Sequence, residues 1–334
     1  MAYTTIDDPS AYFQTKLYTG TQNSHAITLD GNSDLQPDWV WIKCRDDSHN
    51  HQVFDSVRGV HIRMRTDTTG AETTSSESLK SFDSDGFTLG TQQNVNASSS
   101  GDNSFVAWNW KKTADAGFDI VSYTGNGSNR TISHSLSAVP NMMIVKNRDE
   151  TEEWTVYHGA NTAAPATDYL SLNSTAATAD SNTRWNDTAP TSSVFTVGTS
   201  GVVNANGQKF INYLFSEVKG YSKFGSYVGN GDANGAFIYC GFKPAWILTK
   251  KSSASGDSWN LHDSTRSSAN PANKRLTPDT SDVEADSAQY DLLSNGFKAL
   301  QTTGSTNGSG ATYIFMAFAE NPFVTSTGVP TTAR

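Results

Sequence analysis

Apolar and polar residues alternate in short runs along this chain, and most runs are closed by Gly, Pro, Asn, Asp or Ser. Successive side chains of a strand point to opposite faces, so alternation at period two predicts strands, and the closing residues predict turns. In Trp39-Val40-Trp41-Ile42-Lys43 the two tryptophans and the lysine fall on one face, and Val40 and Ile42 on the other. Both faces carry large apolar groups, which predicts a strand covered on both sides. Phe105-Val106-Ala107-Trp108, Ala236-Phe237-Ile238-Tyr239 and Tyr313-Ile314-Phe315-Met316 read as further strands. Helical spacing is nearly missing. Its best trace, residues 282–288, does not repeat apolar positions long enough to bury a helix face and is read as a loop. The predicted class is all-β.

The runs recur at a fixed distance. Tyr18-Thr19-Gly20, Tyr123-Thr124-Gly125 and Tyr227-Val228-Gly229 lie 105 and 104 residues apart, and Pro37, Pro140 and Pro244, each before an apolar strand, lie 103 and 104 apart. Within each copy the order holds. His51, Trp154 and Trp259 open matching strands, and Phe87, Phe195 and Phe297 sit in matching short ones. The closing strands are read at Phe105-Val106-Ala107-Trp108, Tyr213-Leu214-Phe215-Ser216 and Tyr313-Ile314-Phe315-Met316. A period near the commonest domain size predicts three tandem repeats of about 104 residues, each a small antiparallel β-sandwich of jelly-roll or lectin-like type. The expected division is an N-terminal arm at 1–16, repeats at 17–115, 116–221 and 222–320, and a C-terminal tail at 321–334. The arm has no counterpart in the other copies and is expected to dock on a neighbouring subunit. The Gly-rich turns after the three tyrosines, and the Ser/Asn/Gly stretches 94–101 and 303–310, are expected to be hairpin loops.

Composition narrows the function classes. Of 334 residues, 36% are hydrophobic, yet 8 Trp, 12 Tyr and 16 Phe supply large buried surfaces. A net charge of −9, from 24 Lys and Arg against 33 Asp and Glu, argues against nucleic acid, whose phosphates require clustered positive charge. No run approaches the ~18 apolar residues of a membrane span, and the first residues lack a basic start and apolar run. The expectation is a product kept from membrane insertion and from secretion. Cys44 and Cys240 occupy non-equivalent places in different copies and are expected to be free thiols.

Candidate chemistry is sparse. Asp46, Asp47 and His49 bring carboxylates beside a His-x-His pair and are the metal candidates, although His51 matches core tryptophans and the stretch reads as a turn. Asp55-Ser56-Val57-Arg58 returns as Asp263-Ser264-Thr265-Arg266. A motif copied between repeats points to structure: Asp55 and Asp263 holding a turn, Arg58 and Arg266 an ion pair. The middle copy lacks it. The Gly-Asn-Gly turns lack the Lys and helix of a phosphate loop, and no cofactor is expected. Trp185, in the long loop of the middle copy, and Trp110, at the end of the first closing strand, are least explained by core alternation, so they are the candidates for stacking on sugar faces.

The chain resembles a family of repeat proteins encoded by marine tailed bacteriophages, described as tail-fibre-like or uncharacterised virion proteins. The resemblance rests on Ala2-Tyr3-Thr4-Thr5-Ile6-Asp7-Asp8-Pro9-Ser10-Ala11-Tyr12-Phe13-Gln14, Phe54-Asp55-Ser56-Val57-Arg58-Gly59, Ser81-Phe82-Asp83-Ser84-Asp85-Gly86-Phe87-Thr88-Leu89-Gly90, Tyr221-Ser222-Lys223-Phe224-Gly225-Ser226-Tyr227 and Glu320-Asn321-Pro322-Phe323-Val324-Thr325-Ser326-Thr327-Gly328. It covers essentially the whole chain and carries over no catalytic residue. It implies a lectin-like β-sandwich in the virion. The expected function is a non-enzymatic virion structural protein, assembled in the host cytoplasm, in a tail fibre or tail appendage that contacts the host surface. The alternatives are a head-decoration or tail-structural protein without a receptor role, and a carbohydrate-binding or polysaccharide-degrading module. Expected partners are other virion proteins, further copies of this chain in a homo-oligomer such as a trimer, and a host surface glycan.

Overall fold

The strands that open and close each copy pair with one another. Phe13–Thr19 runs antiparallel to Ser104–Trp110, Phe118–Thr124 to Lys209–Phe215, and Ser222–Val228 to Thr312–Pro322. These pairings come from a computed structural model, which describes residues 2–98 and 103–331. On its other side each closing strand takes Trp39–Cys44, Met142–Asn147 or Phe242–Lys251, and beyond these lie Gln52–Asp55, Thr155–His158 and Asn260–Asp263. In the middle copy Asp168–Ser171 and Ala179–Asp180 extend this inner sheet to six strands. A second, outer layer covers each inner sheet. It comprises His25–Thr28, Gly86–Leu89 and Leu79–Asp83 in the first copy and Arg130–Ser133 with Val194–Val197 in the second. In the third it is Phe237–Tyr239, Gly296–Ala299, Ala285–Leu293 and Ala272–Arg275. The protein is all-β, built of layered antiparallel sheets, and its α-helices are single turns such as Gln93–Asn96, Asn182–Trp185 and Gly201–Asn204.

Alternation along the inner strands divides the apolar residues into two sets. Val40, Ile42, Phe105 and Ala107 face their own outer sheet with Ile27, Leu79, Phe87 and Leu89. Met143, Val145, Phe210 and Leu214 do the same in the second lobe, and Ile247, Tyr313, Phe315 and Ala317 in the third. The other face of every inner sheet meets one shared core. Trp39, Trp41, Trp108 and Trp110 join Met142, Ile144, Tyr213 and Phe215, and Trp246, Leu248, Met316 and Phe318, in a single cluster. Here Trp110 lies 4.6 Å from Trp39 and 5.5 Å from Trp246, ring centre to ring centre, and Phe118 stacks on Phe215 at 4.5 Å. Tilted and edge contacts of this kind add about 0.5–1.5 kcal/mol per pair beyond burial alone. The lobes are therefore fused through their inner sheets.

Several expectations change. In the middle lobe the residue facing Tyr123 is Phe210, as Phe105 faces Tyr18 and Tyr313 faces Tyr227, so its closing strand starts three residues earlier than the aromatic pattern placed it. Phe210–Phe215 is buried on both faces, and alternation cannot set its register. The Gly turns and the stretches 94–98 and 303–310 are crossovers between the two layers, because the strands they join pair in different sheets; residues 99–102 lie outside the described residues. One asparagine ties the two crossovers of each lobe together. Asn96 Oδ1 accepts from Thr21 N at 2.8 Å, Asn204 Oδ1 from Asn126 N at 3.0 Å and Asn307 Oδ1 from Asn230 N at 3.0 Å. A Cβ on Gly20, Gly125 or Gly229 would lie 1.9, 2.1 or 2.4 Å from the carbonyl oxygen of Ala97, Ala205 or Gly308, so close backbone approach requires glycine there. Part of the expected loop 282–288 is strand: Ala285–Leu293 runs through it. Residues 2–16 pack on this chain's own third lobe and core, with Ile6 and Phe13 buried in the shared cluster and Tyr3 Oη donating to Gly241 O at 2.7 Å. Their apolar side chains find cover within the molecule.

Candidate functional site

Each lobe reaches its neighbour through the end of its last inner strand and the loop that follows, and the contacts run from the first lobe to the second, the second to the third and the third back to the first. At the first two of these junctions an indole of one lobe meets a carbonyl of the previous one, and at the last Thr66 Oγ1 of the first lobe donates to Pro278 O of the third at 2.9 Å. Trp154 Nε1 donates to Arg65 O at 2.8 Å and Trp259 Nε1 to Ser171 O at 3.0 Å. Lys146 Nζ donates to Thr69 O and Lys250 Nζ to Thr175 O, each also binding carbonyls of its own turn. Lys43 fills the matching place in the first lobe, donating to Cys44 O and Asp47 O. Burial lowers all three lysines to about 8.

Two of the junctions are closed by charge. Asp55 Oδ1 accepts from Arg58 N at 2.8 Å and Oδ2 from Arg58 Nε at 2.5 Å, while Tyr213 of the second lobe donates its hydroxyl to Oδ2 at 2.7 Å. Asp263 holds Arg266 with the same two bonds and receives Trp108 Nε1 of the first lobe at 3.0 Å. Beside each pair a glutamate bridges two arginines from different lobes. Glu72 accepts Arg148 Nε at 2.8 Å and lies 3.7 Å from Arg58 Nη1. Glu284 accepts Arg45 Nη2 at 2.7 Å and Arg266 Nη1 at 3.0 Å. The Glu72 N–H also donates to Arg148 O, and that of Glu284 to Arg45 O. The carboxylate of Glu284 holds the Arg45 guanidinium above its ordinary range.

The junction between the second and third lobes keeps the backbone and changes the chemistry. Thr178 N donates to Ser252 O at 2.9 Å, as Glu72 N and Glu284 N do to their arginines. Thr178 thus replaces the glutamate and Ser252 the arginine of the next lobe. Asn161 stands three residues after His158, as Arg58 follows Asp55 and Arg266 follows Asp263, and its Oδ1 accepts Thr178 Oγ1 at 2.8 Å. His158 replaces the aspartate. Its Nε2 donates to Phe315 O at 3.1 Å and its Nδ1 accepts from Ala160 N at 3.2 Å, so the neutral ring is satisfied at both nitrogens and burial lowers it to about 4. The three short side chains open a crevice of about 650 Å³ in the place that an arginine–glutamate–arginine cluster takes at the other two junctions.

The sugar-stacking candidates do not hold. Trp185 is fully buried, donating Nε1 to Asp168 O at 3.0 Å, and Trp110 is fully buried in the shared core. Trp110 looked unexplained because a lone sandwich would expose that face of its inner sheet. Exposed aromatic rings occur instead at Phe237 and Tyr239, 47% and 57% exposed on the edge of the third outer sheet, where the other lobes carry Ala26 and Thr28 or Thr131 and Ser133. Asp46 is taken up in a turn, accepting from Ser104 N at 2.8 Å, and Asp47 Oδ2 lies 3.6 Å from His49 Nε2. Among the described residues no group of three or more His, Cys, Asp or Glu is placed to hold a metal ion. Cys44 and Cys240 are free and buried, and burial raises the Cys44 thiol to about 11. Asn161, Thr178 and Ser252 went unnoticed in the sequence. The signals were the missing Asp-Ser-x-Arg of the middle copy and the series Lys43-Cys44-Arg45, Lys146-Asn147-Arg148, Lys250-Lys251-Ser252.

No curated protein matches the chain. Among solved structures, the STIV MCP aligns at 10% identity over 62% of this chain and 96% of that one with a TM-score of 0.22, too loose a superposition to carry fold or role across. A family model described as a domain of unknown function, DUF7483, matches residues 8–322, and the chain belongs to that family.

Proposed function

We propose that this chain is a non-enzymatic structural protein of a tailed-bacteriophage virion, part of a tail fibre or tail appendage that meets the host surface together with other virion proteins and further copies of itself. The sequence resemblance to phage repeat proteins motivates the reading. The observation that carries it is where the reactive side chains are. Asp55, Arg58, Asp263, Arg266, Glu284, His158 and His262 are buried and engaged in holding lobes or layers together. A chain that commits its acids, bases and guanidinium groups to internal ties is suited to bearing load. Outward differences between lobes, such as Phe237 and Tyr239 and the uncharged junction, are where contact chemistry is available.

A head-decoration role is the second reading, favoured by the closed three-lobed arrangement without a shaft. Electron microscopy of purified virions with a labelled antibody separates the two: label on the tail or its appendages is expected, and label confined to the capsid faces would overturn the first reading. Purified protein is expected to bind host cells, which a purely structural component would not do.

A further inference from the structure

We infer that the crevice between the second and third lobes is a binding site for a neutral saccharide. The molecule supplies its own controls, because the same place is occupied by Arg58, Glu72 and Arg148 at one junction and by Arg266, Glu284 and Arg45 at another. At the third, Asn161, Thr178 and Ser252 stand in their positions and the crevice is open. Ser226, Ser253 and Thr312 complete the wall, with Ala160 and Ala177 offering methyl groups.

The lining decides the ligand class. No Asp, Glu, Lys, Arg or His lines the crevice, so an ion entering it would lose hydration without a countercharge. What it presents are hydroxyl and amide groups, which donate and accept alike and match the mixed donors and acceptors of a sugar's hydroxyls. Asn161 is 5% exposed; its Oδ1 is engaged by Thr178, and its Nδ2 has no acceptor among the described residues. The Ser226 hydroxyl, at the rim, is likewise without a partner. An amide donor in the wall of a polar crevice is satisfied by water until a ligand oxygen displaces it. A volume near 650 Å³ lies within the range of small-molecule sites and admits more than one sugar ring. Without an aromatic platform the affinity of one site is weak, on the order of 1 mM, and many copies on one particle would multiply it.

The purpose of the site rests on the host-contact reading; its existence does not. The test uses the full chain labelled with ¹⁵N, titrated with maltotriose, mannotriose, cellotriose and the trimer of N-acetylglucosamine, with a sialylated trisaccharide as the charged control. A saturable shift of the Asn161 side-chain amide with at least one neutral member is expected, and a loss of at least tenfold in affinity is expected in the variant Asn161→Arg/Thr178→Glu/Ser252→Arg, which restores the charged triad. Ser226→Gln, at the exposed rim, covers the case in which that variant fails to fold and is expected to weaken binding at least threefold. No shift with any neutral member, stronger binding of the charged control, or loss of binding in Phe237→Ala/Tyr239→Ala with the crevice variants unaffected would each overturn the assignment. Host-cell binding that persists in the crevice variants would overturn the purpose given to this site and leave the host-contact reading standing.

Discussion

The first–second and third–first junctions are tied by buried arginine and carboxylate, while the second–third junction is tied by hydroxyl, amide and a neutral imidazole. The backbone contact is shared, a threonine N–H taking the place of a glutamate N–H, and Lys146 and Lys250 reach matching carbonyls at the first–second and second–third junctions. The difference teaches that ring closure in this molecule does not require charge. Buried ion triads are often replaceable by uncharged groups at little cost, whereas removal of one partner leaves the other charge buried and unpaired. A junction relieved of its charged residues is free to carry something else.

The sharpest break in the comparison comes from deleting one acid. Asp263→Ala would strand the buried Arg266 guanidinium and the Trp108 N–H together, and a loss of about 3–5 kcal/mol is expected in denaturant unfolding. His158→Ala at the uncharged junction removes a neutral hydrogen bond and should cost about 1–3 kcal/mol. Equal losses at the two positions would contradict the distinction.

Acid should act on the uncharged junction through His158. An unfolded histidine titrates near 6.5, whereas burial holds His158 at about 4, so between these values the unfolded chain binds a proton that the folded chain does not. Stability is therefore full above pH 6.5 and falls as the pH drops toward 4, by about 3 kcal/mol for this group. His262, lowered to about 3, falls with the same sign over a wider window. His158→Gln should flatten its share of the slope, read from unfolding midpoints at pH 7 and pH 4.5; an unchanged slope would remove His158 as a source.

A smaller effect tests what the lobes share. Gly125→Ala places a methyl group 2.1 Å from Ala205 O at the crossover and should cost about 1–3 kcal/mol, with Gly20→Ala behaving alike. If either substitution were neutral, the close approach between crossovers would not be the reason for glycine. Of similar size is the stability change in Asn161→Arg/Thr178→Glu/Ser252→Arg, a loss of about 1–3 kcal/mol, because the guanidinium introduced at 161 meets neutral His158 where Arg58 and Arg266 meet an aspartate, and the glutamate alone offsets its desolvation.

How much of this was legible follows from which signals are local. The period near 104 residues, the paired opening and closing strands and the strand after each proline could be read because tyrosine, glycine and proline mark positions that packing and turns demand. The register of Phe210–Phe215 could not, since both of its faces are buried and alternation loses its meaning. The crossovers were misread as hairpins because a Ser/Asn/Gly stretch signals a turn without saying which sheet the chain enters next. Trp110 was misread because two of its ring neighbours, Trp246 and Phe318, come from the third lobe, and no local pattern announces them. The missing Asp-Ser-x-Arg in the middle copy was visible, but its link to Thr178 and Ser252 depends on lobes meeting across more than 70 residues of chain.

The most direct test of the central claim, that the uncharged junction is where this molecule makes contact, is host-cell binding by the purified full chain against Asn161→Arg/Thr178→Glu/Ser252→Arg at matched folded concentration. Cell binding by the parent and at least tenfold less by the folded variant is the expected result. Undiminished binding by a folded variant would contradict it.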